Sequence, residues 1–139
     1  MIHHSGRTTR RCGAHQAPHR LLACAGARVP APNGKEHHRV RIGLTVSRFT
    51  WPGGPEKLAE TFSDIARDAD EGGIAGLWVM DHFFQIGLNG PPELEMPEAY
   101  SLLAYAAAVT RRITLGTLVT GVTHRRPAVL VKTVTTLDV

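Results

Sequence analysis

Residues 40–139 predict an α/β fold built on a parallel sheet, and three observations carry that expectation. Short apolar, β-branched runs alternate with segments of helical periodicity in the order strand, helix, strand, helix, strand, helix. The repeat is roughly 30 residues, the length of one strand and its crossover helix. The run "IAGLWVM" (74–80) is continuous rather than alternating, as expected of a strand buried on both faces in a parallel sheet. Strands of this kind are joined by right-handed crossovers.

Each element has its own local signal. "VRIGLTV" (40–46) is a β-branched run followed by the turn-rich "SRFTWPGGP". Gly54, Pro55 and Glu56 read as a helix start, with proline at the first helical position. Leu58, Phe62, Ile65, Ala66 and Ala69 then recur at helical spacing, and Gly72 and Gly73 supply the stop. The strand at 74–80 opens into a long loop, "DHFFQIGLNGPPELEM". Pro97 and Glu98 begin a second helix, 97–110, with Arg111 and Arg112 at its C-terminal end, where the helix dipole favours cations. "ITLGTLVT" (113–120) is a third strand, and Pro127 opens a third helix, "PAVLVKTVTTLDV".

Charge divides the chain differently. Residues 1–39 hold six Arg and one Lys against one Glu, while residues 40–139 hold nine basic and eleven acidic groups. The pI near 9.6 therefore belongs to the head rather than to a basic domain, so a nucleic-acid partner is not expected. No apolar run approaches the ~18 residues of a membrane span, and no membrane association is expected. The head has no continuous apolar core of a secretory signal. Its two cysteines, Cys12 and Cys24, suggest no disulfide framework and no oxidising compartment, in keeping with a cytoplasmic protein. Cys12, His15, His19 and Cys24 are ligand types at short spacing, but their order is not a common zinc arrangement and few apolar residues surround them. The expected division is a disordered basic extension over 1–38 and a folded domain over 39–139 that needs no metal.

In parallel sheets, chemistry sits at the carboxyl ends of the strands. Here those ends read "SRFTW", "DHFF" and "TGVTHRRP". Asp81 and His82 follow the second strand directly. Adjacent residues on an extended chain point to opposite sides, so the two need not touch. A neutral imidazole is a natural proton carrier near pH 7, while the plainer reading makes Asp81 a loop cap and His82 a hydrogen-bonding residue. There is no GxGxxG and no P-loop, and Ser47 has no nucleophile elbow. His124 has no second ligand at metal spacing. Trp51, Phe83 and Phe84 suit either a flat-ring pocket or simple loop packing. Arg125 and Arg126 stand before a helix N-terminus, where cations are disfavoured unless an anion sits between them.

Taken together, "RIGLTVSRFTWPGGPEKLAE", "GLWVMDHFFQI" and "EAYSLLAYAAAVTRRITLGTLVTGVTHRRPAVLVKTVTTLDV" resemble the luciferase-like monooxygenase superfamily, and most closely its branch that uses the deazaflavin coenzyme F420. The resemblance implies a partial TIM (β/α)8 barrel, its first three βα units, with the later units and their phosphate contacts outside this chain. It implies an oxidoreductase or monooxygenase that transfers hydride between a reduced coenzyme and a small organic substrate. The coenzyme would be F420, with FMN as the alternative. Asp81 and His82 match positions that contact the coenzyme ring, His82 serving as proton donor in some members. Leu118, Val119 and Thr120 match a bulge behind the ring that often carries a non-prolyl cis peptide. Family members often have a small residue where Leu118 stands, and Gly121–Val122 is the alternative register. As 139 residues alone, the chain is expected to show little or no turnover. The other reading is a truncated, non-catalytic fragment that pairs through its sheet edge with another chain; a homo-oligomer is compatible with either.

Overall fold

The computed structural model describes residues 40–139. The expected disorder of 1–38 and the Cys12/His15/His19/Cys24 group lie outside the described residues. The six expected elements form in the expected order: β1 (Gly43–Val46), α1 (Leu58–Glu71), β2 (Gly76–Val79), α2 (Ala99–Val109), β3 (Thr114–Thr117) and α3 (Pro127–Leu137). The three strands make one parallel sheet in the order β1-β2-β3, with Leu77 between Leu44 and Leu115 and Val79 between Val46 and Thr117.

The sequential order follows from the crossovers. Equal-handed connections that always step the same way lay every helix on one face of the sheet. Accordingly α1 packs on α2, and α2 on both β3 and α3. The core lies between these layers. Phe62, Leu77, Val79, Leu103 and Leu115 are its largest fully buried side chains. Phe62, Ala66 and Ala69 form the buried stripe of α1, with Leu58 and Ile65 half-buried beside them. A short 3-10 turn at Pro55–Lys57 precedes α1, and Gly73, at φ 79°, takes the left-handed conformation that ends it.

Two expectations need correction. The strands are four residues each, shorter than the apolar runs suggested. Pairing stops soon after the mutual register runs out, leaving Val40 and Ile42 exposed. The second strand is not equally buried on its two faces. Leu77 and Val79 face the helices, whereas Trp78 is half-buried on the opposite face. There its indole lies against Gly43 and Gly76, where any Cβ would press on the ring. That face also carries Thr45, Thr114 and Gly116, and among the described residues no helix covers it.

Candidate functional site at the strand ends

All three strands point their carboxyl ends the same way, so the segments that follow them converge. Leu118 N–H donates to the Val79 carbonyl at 2.8 Å, which sets Leu118–Thr120 alongside Met80–His82. The Ser47 carbonyl, just after β1, accepts from Gln85 Nε2 at 3.0 Å and Asn89 Nδ2 at 3.2 Å. These two amides tie the long loop after β2 to the end of β1.

Asp81 and His82 diverge as an extended backbone requires. Asp81 is buried and His82 is exposed. Asp81 turns toward the segment after β3. Its Oδ2 accepts from the Gly121 backbone N–H at 2.7 Å, and both carboxylate oxygens accept from the Arg125 guanidinium, Oδ1 at 2.6 Å from Nη2. Arg125 Nη2 also donates to Glu98, and its cation lies 5.1 Å from the centroid of the Tyr100 ring. Glu98 caps α2 in turn, accepting from Ser101 N–H at 2.6 Å. One guanidinium thus joins the end of β2, the start of α2 and the β3–α3 loop.

The electrostatics follow from these contacts. The Asp81 carboxylate raises the Arg125 pKa above its ordinary value; burial acts against this and Glu98 adds to it. Burial pushes Glu98 upward, but the Ser101 hydrogen bonds and Arg125 outweigh it and hold the carboxyl below its usual value. The anion that a cation before a helix N-terminus calls for is supplied to Arg125 by the protein's own Asp81 and Glu98. Arg126 is exposed at the N-cap of α3.

The remaining expected site residues lie at the same end. The Leu118–Val119 peptide is cis, where the resemblance implies such a bond. Both side chains are largely exposed. The Thr120 hydroxyl pairs with Tyr100 Oη at 2.7 Å and with Thr117 Oγ1. The Phe83 ring packs on His124, with centroids 4.5 Å apart. Phe83, Phe84, Leu118, Val119 and Val122 are exposed apolar side chains on the segments that follow β2 and β3. His82 makes no hydrogen bond or ion pair among the described residues.

Sequence reasoning missed Arg125, Glu98 and Tyr100 as parts of one assembly. Only the misplaced cation before α3 signalled it. Reading Arg111 and Arg112 as dipole partners of α2 also missed their main contact. The backbone N–H groups of Arg111, Arg112 and Ile113 close on the Asp70 carboxylate at 2.9, 2.9 and 2.7 Å. Burial pushes the Asp70 pKa up, and these donors with the Arg112 charge bring it below its ordinary value.

The family model for luciferase-like monooxygenases matches residues 40–139, the whole of the described fold. The chain belongs to the luciferase-like monooxygenase family. Among solved structures it is similar to the oxygenating constituent of 3,6-diketocamphane monooxygenase from the CAM plasmid of Pseudomonas putida, a type II Baeyer–Villiger monooxygenase in complex with FMN. That likeness has a TM-score of 0.56 at 25% identity, over 68% of this chain. The chain spans 25% of that protein's length. No curated protein sequence matches the chain significantly. No helix among the described residues is long and apolar enough to cross a membrane, and none of their His, Cys, Asp and Glu clusters could hold a metal ion.

Proposed function

We propose that residues 40–139 supply one wall of a coenzyme site in a flavin- or deazaflavin-dependent oxidoreductase acting on a small organic substrate. The observation that carries this reading is the set of exposed apolar side chains on the segments after β2 and β3, where the exposed His82 and the buried Asp81–Arg125 pair also stand. A flat, largely apolar ring fits a surface of this composition, and the FMN-bound neighbour supports a flavin as the coenzyme. When bound, such a ring supplies hydride-transfer chemistry.

The chain's own residues divide the remaining work. Leu118, Val119 and Thr120 would hold the ring, and the Thr120 hydroxyl is fixed by Tyr100 and Thr117. His82, free of internal partners among the described residues, carries a proton at the reacting centre. Asp81, whose oxygens are committed to Arg125 and Gly121, fixes the loop that borders the ring. FMN is favoured by the neighbour, and F420 by the motif resemblance of "DH", "LGTLVTGVT" and "RRPAVLVKTVTTLD".

Titrating the protein with FMN and, separately, with F420 tests this reading through quenching or spectral shift of each coenzyme. A dissociation constant measurable for one of them, and weakened by Val119→Asp, is the expected result. Absence of binding to both would overturn it.

A further inference from the structure

His124 has an environment that the reading above leaves unused. Arg125 Nη1 lies 3.2 Å from His124 Nε2. A guanidinium has only donors, so Nε2 must present its lone pair. For this contact to be a hydrogen bond, the ring N–H must sit on Nδ1. Asp81 Oδ2 stands 3.9 Å from the same nitrogen but already accepts from Arg125 and Gly121, so it does not claim that edge.

The ring is also fixed sterically. A Cβ built on Gly121 would collide with the imidazole edge, so glycine at 121 is what lets the ring lie so close to the backbone. Phe83 packs on the ring with planes inclined at 51°. The side chain nevertheless keeps 26% of its exposure, at the strand end that carries His82 and Leu118–Thr120. His82, by contrast, has nothing among the described residues to orient it. A donor held in place before binding loses less freedom when a ligand arrives.

We infer that His124 is a binding residue of this site: an imidazole held with Nε2 toward Arg125, donating an Nδ1–H to a carbonyl oxygen or ring nitrogen of the bound coenzyme. The inference rests on the coenzyme site proposed above. Arg125 then has two tasks, pairing with Asp81 and selecting the His124 tautomer.

The experiment has two arms on the full chain. Long-range ¹H–¹⁵N correlation spectra without coenzyme report the tautomer directly, and the Nδ1–H form of His124 is expected near neutral pH. A dominant Nε2–H form overturns that arrangement. FMN is then titrated into the wild-type, His124→Phe and His124→Gln proteins, each checked for a native circular dichroism spectrum. Phe keeps the packing on Phe83 but has no donor, and should weaken FMN binding about tenfold, the worth of one hydrogen bond. Gln retains a donor and should recover part of that loss. Wild-type binding with an unchanged His124→Phe constant overturns the donor role alone. The same titrations are run with F420, and binding of neither coenzyme by the wild type overturns the coenzyme site, and the donor role with it.

Discussion

The carboxylate of Asp81 and the guanidinium of Arg125 meet fork to fork across 44 residues of sequence. Their side chains are only 3% and 15% exposed. A bidentate pair of this kind fixes geometry as well as contributing energy. Here the geometry it fixes is that of the β3–α3 loop relative to the end of β2. Removing one partner strands the other in a poorly hydrated place, which costs more than the pair contributes.

Arg125→Leu should therefore destabilise the fold by about 3–5 kcal/mol, because it strips the buried Asp81 of both guanidinium hydrogen bonds and leaves it the Gly121 N–H, with His124 Nε2 no nearer than 3.9 Å. Asp81→Asn should cost less, since Arg125 retains Glu98 and the Tyr100 face. Urea denaturation of the two variants at neutral pH checks the order. Equal losses would mean that Arg125 is not the hub of the network.

Asp70 gives a pH-dependent prediction. Its folded pKa lies below the ordinary value of 3.8. A depressed carboxylate contributes stability that is fully present above the unfolded value and is lost as pH falls through the folded one. Asp70→Asn should thus be less stable than wild type by about 2–3 kcal/mol at neutral pH, the worth of hydrogen bonds to a charged acceptor. The gap should stay level down to the ordinary carboxylate range and narrow below it. Denaturation midpoints between pH 7 and pH 2 measure this. A gap that widened in acid would contradict the assignment.

Phe62 is fully buried in the stripe that α1 turns to the sheet, and its ring lies tilted to that of Phe49 with centroids 6.5 Å apart. Phe62→Ala should cost about 3–5 kcal/mol through lost transfer energy and the cavity it leaves. Thermal or chemical unfolding of the variant provides the measurement. A loss below 1 kcal/mol would mean that the helix layer can collapse onto the sheet without that ring.

These cases also show what a sequence discloses. The helix starts at Pro55 and Pro127, the α1 stripe through Phe62, Ala66 and Ala69, and the glycine stop at Gly72–Gly73 are local signals, set by residues within a turn or two. Strand lengths were less legible, because an apolar run continues past the point where a partner strand is available. The placement of Asp81 and His82 on opposite sides followed from strand geometry alone. What Asp81 touches did not, for Gly121 and Arg125 become its neighbours only when β2 and β3 pair. Asp70 behaves likewise. It reads as one more charge near a helix end until the chain brings three backbone donors to it from the α2–β3 connection.

His82 is the residue on which the proposed chemistry turns. It follows the buried Asp81, is exposed at the strand end, and has no internal partner among the described residues. The sheet of the described residues has β1 and β3 at its edges and one face without helices, so the 139-residue chain should bind coenzyme weakly and turn over little or not at all. Binding and single-turnover hydride transfer must therefore be followed separately. Losing a general acid or base typically lowers a rate by ~10²–10⁴-fold. Losing one contact to a large ring coenzyme should cost only about 1–1.5 kcal/mol of affinity. His82→Ala should accordingly depress hydride transfer, measured in a chain extended by further βα units, far more than it raises the coenzyme dissociation constant. A variant that transfers hydride at the wild-type rate would leave His82 as a hydrogen-bonding residue at a strand end. The proton would then have to come from another group at that end, and His124 is the imidazole whose position the fold already holds.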